Sequence, residues 1–74
     1  MSLTLNRQSV SSSSIKSVGY DPDAEILEVE FHKSGIYQYF GVPTRVHEDL
    51  INAFSKGKYY TVYIKDAYSF RRIK

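Results

Sequence analysis

"EILEVEFHKSGIYQYF", residues 25–40, is the stretch whose reading decides how this chain folds. Apolar and acidic residues alternate along it. Leu27, Val29 and Phe31 therefore project to one side of a strand, while Ile26, Glu28, Glu30 and His32 project to the other. The "KSG" step supplies a three-residue hairpin loop whose last residue, Gly35, can take a left-handed backbone. A loop at that position pairs His32 with Ile36, Phe31 with Tyr37 and Val29 with Tyr39. Tyr37 and Tyr39 then share the apolar face with Leu27, Val29 and Phe31. They are expected as core walls, not as rings presented to a ligand.

Upstream, "IKSVGY" reads as a strand, closed by a "DPDAE" turn. Pro22 fixes its own φ there, and the Asp21 side chain can bond to backbone two residues on. The segment before it, "MSLTLNRQSVSSSS", has no periodicity and carries four serines in a row. Residues 1–12 are expected to be a flexible N-terminal arm, dispensable for folding, with Leu3, Leu5 and Val10 as its apolar side chains. Residues 13–74 make one small domain.

Downstream, "VPTRVHEDLINAFSKG" places Val46, Leu50, Ile51 and Phe54 on one helical stripe. Pro43 suits the entry to this helix and Thr44 is a candidate N-cap. Gly57 is the expected stop. "KYYTVYIKDAYSF" supports two readings. Its β-branched and aromatic residues favour a strand, whereas a short helix capped by Ser55 aligns Tyr60 with Ile64. The closing "YSFRRI" alternates like an edge strand guarded by cations. The expected fold is α+β. It has an antiparallel three-stranded β-meander with one main helix over about residues 44–55 across one face. A short second helix or strand and a C-terminal edge strand complete it.

Composition narrows the function classes. With 74 residues and no cysteine, neither disulfides nor sulfur-ligated metals can staple the domain. Two histidines are too few for a convincing metal cluster, so no cofactor is expected. The core must come from aliphatic residues and from the seven tyrosines and four phenylalanines. No apolar run approaches a membrane span and no leader pattern opens the chain. The lack of cysteine fits a reducing, cytoplasmic setting. The net charge of +2 is unevenly spread. Residues 15–54 carry three Lys or Arg against seven Asp or Glu, whereas residues 55–74 carry six against one.

These elements together resemble a known family. "SS-IKSVGYD", "LEVEF", "SGIYQY-GVP", "VHEDLINAFSKGKYY" and "I-K-Y-F", in this order and spacing, are similar to the KTSC domain. That short module is named for the C-terminus of some lysyl-tRNA synthetases and also occurs as a stand-alone bacterial or phage protein. The resemblance runs from about Ser13 to Ile73. The family's central Tyr-x-Tyr stands here as Tyr37-Gln38-Tyr39. Val62 and Tyr63 make the segment after the Ser-x-Gly step more strand-like than is usual in the family. The synthetase context implies RNA as a ligand.

No catalytic constellation emerges, and the chain is expected not to be an enzyme. Glu28 and Glu30 fall on the outer sheet face, where a solvated carboxylate pair lacks the burial that acid–base work needs. His32 and His47 have no nucleophile or ligand set near them in sequence and are expected as surface or capping residues. "FGVP" is no phosphate loop, and the serine run has no nucleophile-elbow context. The basic third is more informative. Lys56, Lys58, Lys65, Arg71, Arg72 and Lys74 interleave with Tyr59, Tyr60, Tyr63, Tyr68 and Phe70. Cations attract phosphates, and aromatic faces stack on unpaired bases. Of these, Lys56, Lys58, Tyr59, Tyr63, Lys65, Arg71 and Arg72 are the seven RNA-binding candidates. The competing reading is a protein-interaction or self-association module that uses Ile26, Ile36 and Phe40 on the open outer face.

Overall fold

The computed structural model describes residues 5–74. The alternating stretch forms strands β3 (Ile26–Phe31) and β4 (Gly35–Phe40), preceded by β2 (Ile15–Asp21). A short β1 (Gln8–Ser9) flanks β2, and β5 (Phe70–Arg72) flanks β4. All five pair antiparallel in chain order. Two helices, α1 (Thr44–Asn52) and α2 (Lys56–Tyr63), fall between β4 and β5. The fold is α+β, and the expected three-stranded meander is extended by one strand at each edge. At the β2–β3 turn, Asp21 Oδ1 accepts from the N–H groups of Asp23 (3.0 Å) and Ala24 (3.2 Å), as its side chain suggested.

The hairpin register differs from expectation by two residues. Gly35, at φ +96°, is already opposite Phe31, so Val29 pairs with Tyr37 and Leu27 with Tyr39. The loop is His32 to Ser34. His32 cannot pair across to β4, because its N–H donates to the Ser14 carbonyl (3.1 Å) and its Nε2 to the Ser12 carbonyl (3.0 Å). A slip of two preserves the side-chain alternation, so the division of faces stands. Leu27, Val29 and Tyr39 join Ile15, Val18, Val42, Leu50 and Ile64 in the buried core. Tyr39 is 2% exposed, a core wall as expected, but Tyr37 is only partly buried.

The helices depart from expectation in detail. α1 ends at Asn52, well short of Gly57, so Phe54 lies beyond it and is fully exposed. Of the expected stripe, Leu50 is buried and Val46 packs against the core, while Ile51 faces outward. The N-cap is Pro43 without a side-chain bond, and Thr44 is the first helical residue. The ambiguous segment takes the helical option. Ser55 Oγ accepts from the Lys58 N–H (3.4 Å), and Ile64 seals the core behind Tyr60. Gly57 belongs to α2, where an added Cβ would lie 3.0 Å from Ser14 Oγ. Glycine at this position lets α2 pack closely on Ser14 rather than ending a helix. No helix among the described residues is long and apolar enough to cross a membrane.

The arm requires the largest correction. Residues 1–4, Leu3 included, lie outside the described residues. From residue 5 onward the expected flexible arm is part of the fold: β1 pairs with β2, and Val10 packs on the core. The sheet's outer face is therefore not open. Asn6 and Arg7 cross it above Gly19, where an added Cβ would sit 2.6 Å from the Asn6 carbonyl oxygen. Glu28 is 0% exposed rather than solvated. Its carboxylate accepts from the Leu5 N–H (2.9 Å), the Gln38 amide (2.8 Å) and the Arg7 guanidinium. An uncompensated carboxylate there would be costly, so the arginine and the arm that carries it are part of the structure.

Candidate nucleic-acid interface

On the helix side of the sheet, β4, β5 and α2 leave an open cleft of about 430 Å³. That is within the size range of small-ligand sites, roughly 300–1,000 Å³. Tyr37, Tyr39 and Phe70 come from the two strands, Phe31 from β3, and Tyr60 and Thr61 from α2. Ser34, Lys65 and Asp66 complete the rim. The strand alternation places these rings together. Tyr39 pairs with Phe70 and Tyr37 with Arg72, so all four side chains share the helix-side face. The Tyr37 ring lies 5.8 Å from Phe31 and 5.9 Å from Phe70, centroid to centroid. The Arg72 guanidinium lies 5.9 Å from the Tyr37 ring centre, within cation–π reach.

The base of the cleft is fixed and its rim is open. Tyr39 and Tyr60 share a hydrogen bond between their hydroxyls, with rings edge to face at 5.7 Å. Burial, reinforced by that bond, pushes the Tyr39 hydroxyl far above the usual tyrosine range. Burial also raises Tyr60. Both hydroxyls thus stay neutral near pH 7. Phe70, by contrast, is 56% exposed, and Lys65 and Arg72 are exposed as well. An aromatic surface rimmed by cations can take a planar ring and a neighbouring phosphate.

The seven RNA-binding candidates do not form one cluster. Lys65 borders the aromatic cleft and Arg72 lies beside it. Lys56 and Lys58 line a second cleft, of about 450 Å³, between α2 and the serine run Ser11 to Ser14. Thr61 lines both clefts, so they are neighbours on the surface. Lys56 Nζ donates to the Ala53 carbonyl (3.2 Å). Tyr59 and Tyr63 lie with their rings tilted and their centroids 4.7 Å apart on another side of α2, beside the exposed Phe54 and Val62. Arg71 projects to the opposite sheet face, because it pairs with Gln38. Sequence reasoning noted Phe70 among the interleaved aromatics without choosing it as a site residue, missed Phe31, and assigned Tyr37 to the core alone. The alternation of "YSFRRI" was the available signal, since it already separated Phe70 and Arg72 from Arg71.

The other sequence candidates have structural surroundings. Of the proposed partner residues, Ile36 is buried and Ile26 and Phe40 are half-buried. Glu30 accepts from Ser17 Oγ (2.9 Å), which holds its carboxyl below the usual range. His47 is not a plain surface residue. It stacks on Tyr20 at 4.7 Å, and burial lowers its pKa. Among the described residues, no three His, Asp or Glu side chains converge as metal ligands.

Comparison with known proteins places this fold in a family. The model of the KTSC domain matches residues 11–68. The chain belongs to the KTSC domain family. A KTSC domain protein of Yersinia pestis, known from its crystal structure, superposes with a TM-score of 0.92 at 46% identity, covering 96% of this chain and all of that one. A protein of Stutzerimonas stutzeri (strain A1501) is 41% identical over 61 residues, covering 82% of this chain and 86% of that protein. A lysine–tRNA ligase of Nostoc sp. is 41% identical over 59 residues, which is 80% of this chain but 10% of the ligase. The KTSC domain thus occurs both inside a much larger protein and in proteins of about its own length. The family match takes in Tyr37, Tyr39, Tyr60 and Lys65. β1 and β5 lie outside it.

Proposed function

We propose that this KTSC domain is a non-catalytic module that binds single-stranded RNA, with one unstacked base in the aromatic cleft. The observation that carries this reading is the half-open cluster of Tyr37 and Phe70 beside Lys65 and Arg72. A domain this small has few aromatics to spare from its core, yet Phe70 is left more than half exposed. The neighbouring cleft, with Lys56, Lys58 and the hydroxyls of Ser11 to Ser14, lies where the strand's next phosphates would pass. Glu28 is buried under the arm, and Asp21 and Asp23 lie at the β2–β3 turn, which leaves Asp66 as the acidic side chain lining the cleft. The relatedness to lysine–tRNA ligases, whose name gives tRNA as what they act on, supports the same ligand class. The setting would be cytoplasmic.

The test is a titration with a labelled single-stranded RNA at about 50 and 200 mM salt. Each phosphate contact contributes about 0.7 to the logarithmic salt slope, so three contacts weaken binding about 20-fold across that range. Phe70→Ala should weaken binding about tenfold at both salts with little loss of stability, since a stacked base contributes about 1–3 kcal/mol. Lys56→Glu with Lys58→Glu should flatten the slope, and Lys33→Glu, in the hairpin loop, should act as a neutral control. Wild type without millimolar binding at low salt would refute the reading. Equal loss from Lys33→Glu would reduce it to general charge attraction.

A further inference from the structure

We propose that the outer face of the sheet is a docking site for an extended, arginine-bearing segment, and that a second copy of this chain can fill it by exchanging its N-terminal arm. This inference is independent of the RNA reading. Among the described residues, the receptor half is formed mainly by residues 17–38. Glu28 stands buried at its centre, held by Gln38, while Ser17 and Glu30 flank it. Gly19 leaves β2 without a side chain where the segment crosses. Among the described residues, the ligand half is formed by residues 5–9. The Leu5 N–H and Arg7 guanidinium both reach Glu28, Arg7 Nε donates to Ser17 Oγ (2.9 Å), and Arg7 Nη2 lies 3.7 Å from Glu30. Gln8 and Ser9 then pair with Val18 and Ser17.

The chemistry specifies arginine. One guanidinium donates to the Ser17 hydroxyl and the Glu28 carboxylate in different directions and adds a charge contact to Glu30. A lysine ammonium, a compact head on a shorter side chain, cannot reproduce that fork. The family match begins at residue 11, so it includes the receptor half and leaves the ligand half outside. Receptor and ligand are joined by Ser11 to Ser14, a connection in which Ser12 Oγ accepts from the N–H groups of Ser14 (3.2 Å) and Ile15 (3.1 Å). When that turn opens, another copy's arm can make every contact that the chain's own arm makes. The two arrangements differ mainly in connection entropy, so exchange should set in near the effective concentration of a short linker, about millimolar.

Charge reversal tests this directly. Arg7→Glu and Glu28→Arg each place like charges together in the same chain. In an equimolar mixture, each arm matches the other copy's face. The expected result is a reciprocal dimer of twice the monomer mass by native mass spectrometry, formed by the mixture and by neither variant alone. The Arg7→Glu/Glu28→Arg double variant serves as the monomeric control. If that double variant folds and the mixture still gives no dimer, the proposal is overturned. If the double variant does not fold, the wild type decides. Differently isotope-labelled copies refolded together at millimolar concentration should show intermolecular contacts between Arg7 of one and Glu28 of the other. Their absence overturns the proposal equally.

Discussion

Arg7→Ala should destabilise this domain about as much as truncating a buried core side chain. Glu28 is fully buried and Arg7 keeps 20% of its side-chain surface exposed, so the pair is desolvated mainly on the carboxylate side. Removing one partner of a buried ion pair costs about 3–5 kcal/mol, and the exposure of Arg7 argues for the lower end, about 3 kcal/mol. Lifting the arm limits that cost by letting water reach Glu28, but it sacrifices β1 and the packing of Val10. A domain of this size has about 4–11 kcal/mol in total, at roughly 0.05–0.15 per residue. With a urea slope of about 1 kcal/mol per molar, the midpoint should fall by about 3 M. Adding Glu28→Gln should recover most of the loss, since a neutral amide at that position no longer demands a counter-charge. Hydrogen exchange at Gln8 and Ser9 should accelerate in the single variant. A midpoint shift below about 0.5 M would show that the arm contributes little and that the contact is incidental.

Gly19→Ala should destabilise the domain and displace the same arm, because the new methyl would collide with the Asn6 carbonyl. In an Arg7→Ala background its extra cost should largely vanish, and additive losses would break the link between the two sites. Tyr39 should resist ionisation in an alkaline absorbance titration for as long as the fold persists. Its folded pKa lies above the unfolded value of about 10, so the stability it contributes is present below that pH and is lost as pH rises beyond it. Ionisation of all seven tyrosines in one step near pH 10, with the fold intact, would contradict its burial. Tyr39→Phe should cost about 1 kcal/mol, measured by urea denaturation, because it removes one hydroxyl bond and leaves Tyr60 without its partner.

Much of the sheet was legible in the sequence because strand alternation has a period of two. A register error of two residues therefore left every side chain on its proper face, and Leu27, Val29 and Tyr39 were assigned correctly to the core. Helix boundaries were harder to read. Gly57 resembled a stop signal but serves close packing against Ser14, a contact between residues 43 positions apart that no local pattern encodes. The arm was misread for a similar reason. Its serine run has the composition of a fluctuating linker, while its anchoring depends on Arg7 reaching Glu28, which lies 21 residues away. The candidate interface was only partly legible. Charge asymmetry pointed to the C-terminal third, yet the cleft needs Tyr37 and Phe31 from the preceding hairpin. Which cations share a face depends on the pairing of β5 with β4, which the sequence pattern left unspecified.

The most direct test of RNA binding through the aromatic cleft is amide-shift mapping of the full chain with a short single-stranded RNA. The largest perturbations should fall on Tyr37, Thr61, Lys65, Asp66 and Phe70, with smaller ones along Ser12 to Ser14 and Lys58. Residues Glu28, Gln38 and Arg71, on the opposite face, should remain unperturbed. Perturbations centred on that opposite face, or none at millimolar RNA, would contradict the proposed interface.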